Sequence, residues 1–179
     1  MAVPSLARSG RPMTWNEYQQ LGEDARAEYI DGHVVVTPGP TRQHQDLLHR
    51  LVNALQAVLP PGLRVISQWN WKPAADEFIP DVMVYPVTEE SIRFTGMPVL
   101  VVEALSTNRA DDLVRKATKY AAAGLQNYWV VDVRDGVLDA FRLTDGVYSP
   151  VAHVERGDVA DVVFGPGTLR VDLDVLLAD

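Results

Sequence analysis

The sequence predicts an α/β fold with a central mixed β-sheet flanked by helices, and three observations carry that expectation. The runs IPDVMVYP, PVLVVEALS and NYWVVDV are almost unbroken apolar stretches, the make-up of central strands covered on both faces. Two longer segments carry helical signatures, one ahead of these runs and one among them. Beyond them, the turn pairs Asp135-Gly136 and Asp145-Gly146 cut the chain into the short strands of a β-meander.

Each element follows in order. Residues 1–12, MAVPSLARSGRP, have no apolar core of the 7–15 residues a signal peptide needs, so they are expected to be a flexible leader. Residues 13–179 are expected to form a single domain, since no linker, repeat or low-complexity tract interrupts them. In TWNEYQQLG, Thr14 and Glu17 stand at capping-box spacing and Gly22 is placed to end a short helix. In AEYIDGHVVVTP, apolar runs flank Asp31-Gly32, a hairpin turn pair. Leu47, Leu48, Leu51, Val52, Leu55, Val58 and Leu59 then share one face at 3.6-residue spacing, and Pro60-Pro61-Gly62 stops that helix. LRVISQWNW alternates and is rich in aromatics, as a strand would be. ADDLVRKATKYAAAG opens with Asp111 and Asp112, continues with basic residues and ends on Gly124, matching the helix dipole at both ends. VLDAFRL and VYSPVAHV make the meander, and VDLDVLLAD is expected to be a short closing helix.

Composition narrows the function classes. The chain has 179 residues, with 47% hydrophobic and 22% charged, ordinary values for a globular protein. No stretch reaches the 18 apolar residues of a spanning helix, so no membrane partner is expected. The absence of cysteine excludes disulfides, thiolate metal sites and cysteine nucleophiles, and agrees with a reducing cytoplasm. The formal net charge of -8 gives no general attraction to nucleic acid. Any such partner would need a metal or a local basic face, for which Arg42, Arg50, Arg64, Lys72, Arg109 and Arg115 are candidates. No Gly-x-Ser-x-Gly elbow, P-loop or Gly-rich dinucleotide fingerprint is present.

Two acids are out of place. Asp81 opens an apolar strand, and Glu103 stands inside one, between Val101, Val102, Ala104 and Leu105. A buried carboxylate is costly without a partner, so the pair calls for a common cause. If the two strands are neighbours, the carboxylates converge, and two of them resist joint ionisation unless a cation sits between. Mg²⁺ suits such a site, since it takes oxygen ligands, keeps waters and commonly uses one or two carboxylates. The helix after Glu103 brings Lys116 back over the sheet, where an ammonium could help a water or stabilise a developing phosphoryl charge.

IPDVMVY, VLVVEALS and DDLVRKATKYAAAGLQNYWVVD together resemble the Uma2 family of restriction endonuclease-like proteins, within the PD-(D/E)XK nuclease superfamily. The resemblance spans about residues 14 to 150 and includes EYIDGHVV and RQHQDLLHRL, with GLQNYWVVDV its most specific piece. It implies a restriction-endonuclease-like fold and a Mg²⁺-dependent phosphodiester hydrolase acting on DNA, with Mn²⁺ as a substitute. It also implies metal binding by Asp81, Glu103 and the Ala104 carbonyl, catalysis by Asp81, Glu103 and Lys116, and auxiliary places for Glu28 and His44 at the edge of the site. The superfamily's usual lysine position holds Leu105, which moves that role to Lys116 in preference to Lys119. Two departures stand out: Ile79 precedes the Pro-Asp where many members are basic, and Ser106-Thr107 replaces Ser-Pro.

Structural readings compete with each role. Asp81 could accept local backbone hydrogen bonds, Glu103 could form a buried ion pair, and Lys116 could lie solvated beside Asp112 at i,i+4. His44 could be only a helix-start residue; it is five positions from His49, so the two do not share a face. Trp69, Trp71, Tyr128 and Trp129 fit core or subunit packing better than base stacking, because strands favour aromatics. The alternative function is a catalytically inactive nuclease fold that binds nucleic acid or protein. Aromatic strands and the meander offer apolar surface for a homodimer in either case.

Overall fold

A computed structural model describes residues 10–22, 25–36, 39–105 and 110–178. Most of the leader, Ser106, Thr107 and Arg109, and the side chain of Asp112, lie outside the described residues. At the leader's end, β1 (Arg11–Pro12) pairs with His33 and Val34. Thr14 caps α1 (Trp15–Gln19), its side chain accepting from Glu17 N–H while the Glu17 carboxylate accepts from Thr14 N–H. β2 (Ala27–Ile30) and β3 (His33–Val36) form the expected hairpin, with Asp31 and Gly32 both at positive φ as a type I′ turn demands. α2 (Arg42–Val58) begins at the Thr41 cap and buries Leu47, Leu48, Leu51 and Leu55. Val58, a member of the expected stripe, is exposed at the last position of the helix, while Leu59 just beyond it packs partly buried against the core.

The sheet is six-stranded in the order β4-β5-β6-β7-β8-β9. Its strands are β4 (Leu63–Ser67), β5 (Val82–Pro86), β6 (Leu100–Leu105), β7 (Asn127–Asp132), β8 (Val137–Thr144) and β9 (Val147–Glu155). β6 and β7 run parallel, joined through α3 (Ala110–Ala123), and the other neighbours are antiparallel, so the sheet is mixed as expected. A Schellman motif ends α3: Leu125 N–H donates to Tyr120 O and Gly124 N–H to Ala121 O, with Gly124 at φ 89°. LRVISQWNW is a strand only to Ser67; Gln68 turns at φ 53°, and Trp71 instead bridges to Phe78 and Phe94. Unanticipated is a separate hairpin of β10 (Val159–Phe164) and β11 (Gly167–Asp172), which leads into α4 (Leu173–Leu176), the expected closing helix.

Each face of the sheet is covered. On one, α2, the β10–β11 hairpin and α4 enclose Val82, Val84, Val102, Trp129, Val131 and Leu138. On the other, Met83, Val101, Tyr128 and Val130 pack with Ile30, Trp71, Phe78 and Tyr120. Trp71, Tyr128 and Trp129 are buried, as core packing requires, and Trp69 lies against Tyr85 and Phe94. Among the described residues no helix is long and apolar enough to cross a membrane.

Candidate active site

The β5–β6 register places the two acids together. Val82 pairs with Val102, Met83 with Val101 and Val84 with Leu100, so one antiparallel step beyond sets Asp81 across from Glu103. Pro80 removes a donor just ahead of the strand, and the sheet opens there. Asp81 Oδ2 accepts the Ala104 N–H at 2.9 Å, and Oδ1 lies 3.0 Å from His44 Nε2. Its partners are thus distant in sequence, unlike the local backbone bonds of an ordinary strand-start aspartate. His44 occupies the first turn of α2, where its own N–H donates to Thr41 Oγ1. Its ring reaches across to β5.

Glu103 points to the α3 face of β6. Lys116 and Tyr120 are one helical turn apart on α3, on the same side. Tyr120 OH donates to Glu103 Oε1 at 2.7 Å, and Lys116 Nζ lies 3.5 Å from that oxygen. Lys116 is nearer still to Glu28 Oε1, at 2.9 Å, which also accepts the Ile79 N–H at 2.8 Å. Lys116 is therefore buried rather than lying on a solvated helix face. Lys119 instead pairs with Asp31 and Asp76 on the outer side.

Two placements correct the sequence reading. Glu28 is not at the edge of the site: it is 1% exposed and is the closest carboxylate to Lys116. Ile79 contributes its backbone N–H to that carboxylate. Tyr120 was not recognised as a site residue, although its i,i+4 relation to Lys116 was a legible signal.

Burial pushes the Glu103 carboxyl up to about 8; Lys116 pulls it down, while the charges of Asp81 and Glu28 raise it further. Tyr120 is held well above an ordinary phenol, first by burial and then by the Glu103 and Glu28 charges. A carboxyl raised in the fold favours the folded state below its ordinary 4.5, and that contribution is lost as pH climbs to about 8. In chelator, urea denaturation should therefore show wild-type stability falling across this window relative to Glu103→Gln. Parallel pH profiles for the two proteins would show that Glu103 is not held protonated.

The donor set fits a hard divalent cation. Glu28 and Glu103 share one ammonium, Asp81 stands across from Glu103, and burial pushes the Glu103 carboxyl up. Among the described residues, no three His, Asp or Glu side chains gather closely enough to hold a metal by themselves. Asp81 and Glu103 would instead be completed by backbone and water oxygens, the pattern Mg²⁺ accepts. The Ala104 N–H turns toward Asp81, and in an extended strand the carbonyl of the same residue leaves from the same edge.

Residues 15–174 match the model of the Uma2 family, which carries the description "Putative restriction endonuclease". No curated protein matches the chain. Among solved structures, "a putative nuclease belonging to DUF820" from Anabaena variabilis superposes with a TM-score of 0.76, covering 93% of this chain and 98% of that one. The two sequences are 19% identical, so the likeness establishes a shared fold.

Proposed function

The chain belongs to the Uma2 family, and on that premise we propose that it is a Mg²⁺-dependent phosphodiester hydrolase that cleaves DNA. The observation that carries this reading is the meeting of Asp81, Glu103 and Lys116 at one end of the β5–β6 pair, with Glu28 and Tyr120 fixing the last two. Asp81, Glu103 and the Ala104 carbonyl would hold the ion. When bound, Mg²⁺ or Mn²⁺ supplies charge neutralisation at the scissile phosphate and acidifies water beside it.

The chain's own groups divide the remaining work. His44 and the Ala104 N–H grip both oxygens of Asp81, so its carboxylate is oriented before substrate arrives. Tyr120 holds Glu103 by Oε1. Glu28 keeps the Lys116 ammonium in place, so that it can offset negative charge developing on the phosphoryl oxygens. The apolar wall of Trp71, Phe78 and Tyr120 behind Glu103 excludes water from one side and strengthens each of these interactions.

The test is cleavage of plasmid and of single-stranded DNA in Mg²⁺ or Mn²⁺ by wild type, Asp81→Ala and Glu103→Gln. Cleavage is expected from wild type alone, and equal cleavage by all three would remove the assignment. No cleavage by wild type, with DNA binding retained, would point to the alternative of an inactive fold kept for binding.

A further inference from the structure

At the start of α2, beside His44, lies a cleft of about 250 Å³. Four arginines line it, Arg42, Arg50, Arg134 and Arg156, against a single acidic side chain, Asp46. In a chain of net charge -8 this is a local reversal of sign, and a concave wall focuses such a field. The N-terminus of a 17-residue helix also opens there, adding partial positive charge.

Part of this charge has a structural role. Arg50 donates to the carbonyls of Leu176 and Ala178, at 3.3 and 2.6 Å, and Arg156 donates to Leu177 O at 3.4 Å. These two hold down the end of α4. Arg42 pairs with Asp46 in the open, where ion pairs are weak. Arg134 is exposed, and its guanidinium has no partner among the described residues. A second observation links the cleft to the chemistry. His44 lines it, is 7% exposed, and has its Nδ1 buried without a hydrogen-bond partner while Nε2 meets Asp81. One imidazole ring therefore separates the arginines from the candidate metal carboxylate.

We propose that this cleft seats a phosphate of the DNA strand neighbouring the one at Asp81 and Glu103, with Arg134 and Arg42 as its principal side-chain contacts. The inference rests on the nuclease reading and adds the path of the strand: across the N-terminus of α2 and past His44. Guanidinium suits the task, since its planar fork matches two phosphate oxygens. The contact orients the backbone and carries no sequence information, so it serves any target.

The test is fluorescence-anisotropy titration of full-length protein with labelled duplex DNA over a range of salt, in chelator. It compares wild type, Arg134→Ala, Arg42→Ala with Arg134→Ala, and the control Arg170→Ala, an arginine paired with Asp161 on the β10–β11 hairpin. Each arginine removed from the cleft should reduce the slope of log affinity against log salt by about 1, with no change in Arg170→Ala. In a cleavage assay the same variants should raise KM and leave kcat near wild type. Unchanged slopes and KM would overturn the cleft while leaving the catalytic site intact. Equal loss in Arg170→Ala, or no binding by wild type, would overturn it too. Normal binding by wild type without cleavage, by contrast, would count against the site and not the cleft.

Discussion

Lys116→Met should lower DNA cleavage by about 10²–10⁴-fold, the range for loss of one positioned proton-transfer or charge-stabilising group. The substitution keeps the length of the side chain and removes the ammonium 2.9 Å from Glu28 and 3.5 Å from Glu103. Breaking a buried ion pair by deleting one partner commonly costs about 3–5 kcal/mol of stability. Here the cost should fall in that range, because the substitution leaves Glu28, 1% exposed, without its nearest cation. Cleavage is therefore compared at a temperature where both proteins are folded. Circular-dichroism melting and a cleavage time course on the same preparation separate the two effects. Lys116→Arg is the informative companion: it retains charge, but its planar fork cannot reproduce the point contact of an ammonium, so partial recovery is expected. Cleavage by Lys116→Met within threefold of wild type would mean the ammonium has no part in the chemistry, whatever it contributes to burial of the acids.

Trp129→Ala should destabilise the protein by about 3–5 kcal/mol, a large share of the 5–15 kcal/mol that holds a typical domain together. Trp129 lies on β7 in the middle of the sheet, has no exposed surface, and meets Phe164 of the β10–β11 hairpin edge-on at 5.7 Å. Removing it opens a cavity between sheet and hairpin that neither can close alone, because α2 and α4 also pack against the hairpin and hold it in place. Trp129→Phe should cost much less. The indole Nε1 is buried without a hydrogen-bond partner, so that change relieves an unmet donor while keeping most of the apolar contact. Urea denaturation followed by far-ultraviolet circular dichroism reads both. A loss under 1 kcal/mol for Trp129→Ala would show that the hairpin is not anchored through this contact.

The elements that were legible beforehand share one property: their signals are local. The Thr14–Glu17 box, the Asp31-Gly32 turn and the leucine stripe of α2 each act within a few residues, and each stands where expected. The apolar runs containing Val82, Val102 and Trp129 likewise identified central strands, since a strand covered on both faces has no polar side to display. The misses lay where distant partners decide. LRVISQWNW alternates well enough to be one strand, yet Phe78 and Phe94 draw Trp71 out of the ladder. The β10–β11 hairpin escaped notice because its outward valines, Val159 and Val163, blur the contrast between its two faces.

For the site, sequence alone determined which groups were anomalous. Asp81 and Glu103 could be singled out because a charge in an apolar run is expensive wherever the run ends up, and Lys116 because its helix follows directly. Which charges actually meet was decided only by the tertiary structure. Glu28 arrives from a hairpin, Ile79 from a loop segment and His44 from the far side of the sheet, and no spacing along the chain encodes those approaches. The resemblance already favours Lys116 over Lys119, and the fold supplies the contacts: Lys116 meets Glu103, while Lys119 is directed to Asp31 and Asp76. Desolvation is a property of a place, not of a residue. The Glu103 carboxyl is pushed up to about 8 because the fold buries it among a wall of rings and then sets Asp81 and Glu28 beside it, which its neighbours in sequence could not do.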